Sequence, residues 1–194
     1  MQNTKLRKLI AIGMLGAISF ILMLFNFPLP PFPAFLQVDF SDIPALMATL
    51  IMGPMAGIIV ELLKNFLDWV FSGSPTGVPV GHLANFATSI LFILPVYFVY
   101  RRLLNAKGLT LGLVVGTVTM AVGMSLLNYI LFLPMYTYFL GMEKVTGPAL
   151  YNMIVLGILP FNLVKGILLM ALTLLLFRGM KGFIAKQQMV FKMK

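Results

Sequence analysis

The chain has no cysteine, a single histidine and only five acidic residues among 194. Without cysteine there is no disulfide framework, no thiolate nucleophile and no Cys-ligated metal or iron–sulfur centre, and one histidine makes a His-built metal site a poor reading. Phosphate-loop (G-x-x-x-x-G-K-[ST]) and H-E-x-x-H patterns are missing too, so the chain is not expected to hydrolyse ATP by itself or to be an enzyme. Charge of either sign is scarce: 10% of residues are charged against 60% hydrophobic, and the mean hydropathy is +1.01. A soluble domain with a polar exterior does not have that composition. Lipid is the solvent it suits.

One crossing of a bilayer core of roughly 30 Å takes about 20 apolar residues, so this length supplies about six spans and leaves little for a separate soluble domain. The expected fold is an all-α integral membrane domain over residues 1–194, with spans near 9–27, 43–53, 54–72, 82–100, 109–133 and 150–177. Lys5, Arg7 and Lys8 before an apolar run have the look of a signal peptide. The run from Leu9 to Phe27 is long, however, and lacks a small-x-small cleavage site, so it reads as the first span. The second span is short and ends at Gly53-Pro54, which requires it to be half-buried, tilted or continuous with its neighbour through a break.

The net charge of +9 is concentrated in clusters beside the apolar runs: Lys5, Arg7 and Lys8; Arg101, Arg102 and Lys107; then Arg178, Lys181, Lys186, Lys192 and Lys194. Six spans put all three clusters on one side, which is cytoplasmic by the positive-inside rule, together with both termini. This is a topology signal, not a nucleic-acid surface. Asp39, Asp42, Asp68 and Glu143 then fall near the outer face. Trp69, Tyr136, Tyr138 and Tyr151 suit an outer aromatic belt, and Tyr97 and Tyr100 an inner one. Between the first two spans, Pro28, Pro30, Pro31 and Pro33 stiffen a loop ending in Asp39-Phe40-Ser41-Asp42, where Asp42 or Ser41 is placed to cap the second helix.

A polar side chain within a membrane helix is costly unless it faces a partner or a cavity. Asn162 and Lys165 share a face of the sixth span, and Asn128 interrupts an apolar stretch of the fifth. No carboxylate lies within a turn of Lys165 on its own helix, so either another element supplies the counter-charge or a ligand oxygen accepts from the ammonium. Amide groups with one ammonium suit a neutral, flat, hydrogen-bond-rich molecule, although interhelical hydrogen bonding also accounts for membrane asparagines. Glu61, Lys64, Asn65 and Asp68 form one stripe on the third span, read as a seam in which Lys64 pairs with Glu61 and Asp68. Gly81 and Asn85 flank His82 where the fourth span begins, and the histidine reads as solvated. Gly13 and Ala17 make a small-xxx-small pair, and Gly108, Gly112 and Gly116 two more, which permit close helix contact.

The basic start with Gly13-x-x-x-Ala17, the loop Asp39-Phe40-Ser41-Asp42-Ile43-Pro44-Ala45-Leu46 and the break at Gly53-Pro54 resemble the S components of energy-coupling-factor (ECF) transporters, in their riboflavin-binding branch. Gly81-His82-Leu83-Ala84-Asn85-Phe86, Leu127-Asn128-Tyr129 and Pro160-Phe161-Asn162-Leu163-Val164-Lys165-Gly166 extend the likeness over the whole chain. The resemblance implies a six-helix bacterial cell-membrane protein whose pocket opens outward beneath the first outer loop. Residues matching Asn128, Asn162 and Lys165 would contact riboflavin, with Asp39, Phe40 and Ser41 of the loop adding contacts and Gly81 and Asn85 completing the candidate site. Gly13 and Ala17 would face a transmembrane coupling subunit joined to a pair of ATP-binding subunits. Riboflavin would be the transported ligand, with no resident cofactor. An S component for another vitamin, an ion-coupled carrier using Lys64 and the nearby acids, and an intramembrane enzyme using Glu61 and Asp68 are the competing readings.

Overall fold

The computed structural model describes residues 2–141 and 143–191, so Lys192 and Lys194 lie outside the described residues. Among the described residues, six helical rods make up the fold. They are α1 (Gln2–Leu24), α2 (Asp42–Met52), α3 (Pro54–Ser72), α4 (Val80–Leu103), a rod built from α5 (Ala106–Leu127) and α6 (Leu133–Leu140), and one built from α7 (Gly147–Asn152) and α8 (Leu159–Val190). In the last two rods a π-helical stretch joins the pieces, Asn128–Phe132 and Met153–Ile158 respectively. Four rods, Thr4–Leu24, Val80–Leu103, Ala106–Leu140 and Gly147–Val190, are long and apolar enough to cross a membrane. The chain is a multi-pass membrane protein on that reading.

Several boundaries differ from the sequence expectation, for local reasons. The first helix stops at Leu24 and not at Phe27, because a residue before proline avoids helical backbone and Pro28 follows. Asn26 Nδ2 donates to Met23 O at the helix end, and Phe27–Pro28 then pairs antiparallel with Gln37–Val38, closing the proline-rich loop at its base. The fifth rod runs to Leu140, past the expected end at 133. Pro134 has no N–H to give to Ile130, and the π stretch just before it absorbs the missing bond. Pro160 follows the second π stretch in the same way. The last rod continues to Val190 because lysine, glutamine and methionine are good helix formers outside the membrane as well as in it.

The second helix is not half-buried: every residue from Asp42 to Met52 is buried. Gly53, with φ of 97°, makes the break, and Pro54 starts α3 where its missing N–H costs nothing. A helix end inside a bundle leaves carbonyls without partners. Here Lys8 Nζ donates to Met52 O at 2.9 Å and Gln188 Nε2 to Leu50 O at 2.7 Å, so the first and last rods both cap α2.

The glycines of the fifth rod serve internal packing. A Cβ at Gly112 would stand 2.8 Å from Val96 O, and one at Gly116 would stand 2.7 Å from Phe92 O, so α4 and α5 touch backbone to backbone. Gly166 similarly admits Thr117 of α5 against α8. Gly13 differs: nothing lies within 4 Å of its would-be Cβ, and both it and Ala17 are exposed on α1. Tyr97 and Tyr100 are buried, at 3% and 5% exposure, and do not form an interfacial belt. Tyr97 Oη instead accepts from Arg101 Nη1 at 3.3 Å.

Candidate functional site

At the end of the bundle bearing the proline-rich loop, a cavity of about 1020 Å³ opens between α3, α4, the fifth and sixth rods and the loop. Asp39, Gly81, Asn85, Asn128, Asn162 and Lys165 all line it. Phe40 and Ser41 do not. The Ser41 hydroxyl and N–H both donate to Asp39 Oδ1, and its carbonyl accepts from Ser19 Oγ at 2.8 Å. Phe40 packs against the hydrophobic core. These two residues hold the loop in place while Asp39 reaches the cavity: Ser41, in helical backbone at the start of α2, folds back to grip one Asp39 oxygen and leaves the other toward Lys165.

Each asparagine is oriented by its own helix. Asn128 Nδ2 donates to Met124 O and Asn162 Nδ2 to Ile158 O, both at 2.8 Å, which leaves the amide oxygens available to the cavity. Asn128 opens one π stretch, and Asn162 follows the other by four positions, where the altered winding turns it inward. Between them lie the apolar walls, among them Met124, Leu133, Met153 and Phe161. Phe35 of the loop stands 6.3 Å from Tyr136, ring centre to ring centre. Tyr136 thus belongs to the cavity wall, and Gly81 makes room for it: a Cβ there would lie 3.1 Å from Tyr136 Oη.

Lys165 obtains its counter-charge from elsewhere in the chain. Its Nζ lies 3.4 Å from both Asp39 Oδ2 and Asp42 Oδ2. Good charge-assisted N–H···O contacts run about 2.7–2.9 Å, so two carboxylates hold this ammonium loosely. The helix-capping role expected of Ser41 and Asp42 is not taken: Ser41 sits at the N-cap without a side-chain cap bond. Asp42 instead turns Oδ1 into the bundle, where it accepts from Lys64 Nζ at 2.8 Å and Ser89 Oγ at 2.6 Å.

Lys64 therefore pairs with Asp42 and with Glu61 Oε2, 2.6 Å away, and not with Asp68. The reason lies in the hairpin: Asp42 and Lys64 are each eleven positions from Gly53, so folding α2 back on α3 sets them level. That symmetry was a legible signal which stripe periodicity on one helix overlooks. Asp68 bonds to Ser72 Oγ at 2.9 Å and to His82 Nε2 at 3.0 Å, so the histidine is paired on the cavity wall and is not a solvated surface residue. Gln37, Thr88 and Thr137 are wall residues that the sequence reading missed, and Asp68 and His82 are wall residues that it had assigned to an ion-pair seam and to solvent. Among the described residues no group of acids and histidines is placed to hold a metal ion. With Glu61 held against Lys64 and Asp68 held by His82, the geometry offers no support for carboxylate-driven hydrolysis.

Comparison with known proteins supplies the context for this cavity. The family model described as "ECF transporter, substrate-specific component" matches residues 7–177. The chain is similar to the "Riboflavin transporter FmnP" of Bacillus subtilis (strain 168), 48% identical over 184 residues, which cover 95% of this chain and 97% of that one. It is also similar to the "Riboflavin transporter RibU" of Staphylococcus aureus (strain TCH60), 41% identical over 186 residues, covering 96% and 95%. A solved S component of a bacterial ECF transporter superposes with a TM-score of 0.79 at 40% identity, covering 95% of this chain and 99% of that chain.

Proposed function

Since this chain belongs to the substrate-specific components of ECF transporters, we propose that it binds riboflavin and serves as the vitamin-capturing subunit of a bacterial uptake system. The observation that carries the reading is the cavity itself. Two fixed amide oxygens from Asn128 and Asn162 and one loosely held ammonium from Lys165 converge between apolar and aromatic walls. Acceptors placed beside a donor match the edge of a flat heteroaromatic ring that carries both N–H and carbonyl groups, and the walls match its faces. Asp39, Gly81 and Asn85 extend the polar lining, and Phe40 and Ser41 fix the loop that carries Asp39.

In this reading the protein sits in the cell membrane with both termini cytoplasmic, and the cavity receives its ligand from outside beneath the proline-rich loop. The exposed Gly13 and Ala17 on α1 form the face for the transmembrane coupling subunit, where a small-residue stripe lets another helix approach closely. A pair of ATP-binding subunits supplies the energy, and this subunit itself is neither an enzyme nor the holder of a resident cofactor. Titrating detergent-purified protein with riboflavin tests the proposal. Quenching of flavin fluorescence that saturates at one ligand per chain supports it, and absence of quenching at micromolar ligand overturns it.

A further inference from the structure

Behind the cavity wall lies a polar cluster that touches no wall opening of its own. Glu61 and Lys64 are completely buried, as are Asp42 and Ser89, and none of the four lines the cavity. Burying charge in a membrane protein is costly, and neutral interhelical packing would stabilise the fold as well or better. The cluster meets the cavity wall at two places: Ser89 Oγ lies 3.0 Å from the carbonyl of Asn85, and Asp42 reaches toward Lys165. Asp42 Oδ1 is fully engaged by Lys64 and Ser89, whereas Asp42 Oδ2 makes no hydrogen bond and faces the Lys165 ammonium at 3.4 Å.

We propose that Lys64 and Ser89 are positioning residues: by pinning Asp42 Oδ1 they stop Asp42 from closing onto Lys165, and so keep the lysine's N–H groups free for the ligand in the cavity. The inference rests on the riboflavin reading given above. A carboxylate free to rotate would bring both oxygens to the ammonium at normal hydrogen-bond distance and draw it toward the bundle. Pinned from behind, Asp42 offers one oxygen at long range, and Asp39 offers another at the same distance with its second oxygen tied to Ser41. Each of the two acids near Lys165 therefore has one oxygen committed elsewhere. Lys64 adds a second effect of the same sign, because its positive charge beside Asp42 weakens the pull of that carboxylate on Lys165.

Two variants loosen the hold on Asp42 Oδ1 by independent routes, each removing one of its two donors. Ser89→Ala deletes one donor without altering charge. Lys64→Met with Glu61→Gln deletes the other donor together with its second carboxylate partner, leaving the net charge of the cluster unchanged. Each is expected to weaken riboflavin binding about tenfold; the ligand-free melting temperature stays near that of the parent in Ser89→Ala and falls in the double variant, which strips Asp42 of its nearest counter-charge, so affinity is read well below the melting range. The absorption bands of the bound flavin shift as the ammonium leaves the ring. The decisive measurement repeats Ser89→Ala in an Asp39→Asn/Lys165→Met background, which lacks the ammonium and keeps the charge balance. There the substitution is expected to have no further effect on affinity, since residues acting through one group are not additive. An equal loss in both backgrounds, or unchanged affinity in both positioning variants, overturns the inference. A parent protein that binds no riboflavin overturns the functional reading with it, whereas one that binds and depends on Lys165 but ignores Ser89 and Lys64 overturns the pinning alone.

Discussion

Lys165 Nζ of α8 lies 3.4 Å from Asp39 Oδ2 of the proline-rich loop, joining residues 126 positions apart and tying the loop to the wall of the cavity. The sequence left open whether another element or a ligand would satisfy this lysine; Asp39 and Asp42 supply its counter-charge, both at the long distance of 3.4 Å. Lys165→Met therefore strands buried carboxylates as well as removing a ligand donor. It is expected to weaken riboflavin binding about five- to a hundredfold and also to lower the ligand-free melting temperature. Adding Asn at position 39 should restore the melting temperature without restoring binding. Affinity and thermal unfolding measured on the same samples check both halves, and recovery of binding in the double variant would contradict the assignment.

The two asparagines make a simpler case, because each spends one amide N–H on its own helix and presents its amide oxygen to the cavity. Alanine at Asn128 or Asn162 is expected to leave the fold intact and to reduce affinity roughly five- to tenfold, the cost of one unpaired ligand donor at about 1–1.4 kcal/mol. Calorimetric titration reads this directly. Equal affinities for both variants and the parent would remove the amides from the binding site.

Glycines on different rods predict opposite phenotypes. Gly116→Leu would push a side chain into the backbone of α4, where even a Cβ stands 2.7 Å from Phe92 O, and is expected to abolish folded protein in detergent. Gly13→Leu meets nothing inside the chain. It should preserve riboflavin binding by the purified subunit and eliminate uptake in cells, because the bulk falls on the face proposed for the coupling subunit. Loss of binding in Gly13→Leu would place that face inside the fold.

The proline-rich loop contributes Phe35, Leu36, Gln37 and Asp39 to the cavity wall, so a bound ligand would contact it from within. Limited proteolysis between residues 28 and 37 is expected to slow several-fold when riboflavin saturates the site, since cleavage requires the loop to open. Equal cleavage rates with and without ligand would show that the loop does not cover it.

Composition and hydropathy were enough to place the chain in lipid, and the unpaired polar residues Asn128, Asn162 and Lys165 were legible as candidates because a membrane interior makes each of them costly to keep. The break at Gly53-Pro54 was equally plain, being written in two adjacent residues. What tertiary structure decided is which charges meet. Lys64 turned away from Asp68 on its own helix to Asp42 on the next, because the hairpin at Gly53 brings the two level and Ser89 of α4 closes the third side. It also decided that Phe40 and Ser41 stand behind the wall, that His82 pairs with Asp68, and that α2 is buried on every face. Helical and strand periods report which residues of one element share a face, but they carry no record of which element that face will meet. The partners of a buried charge are set by packing between segments far apart in the chain.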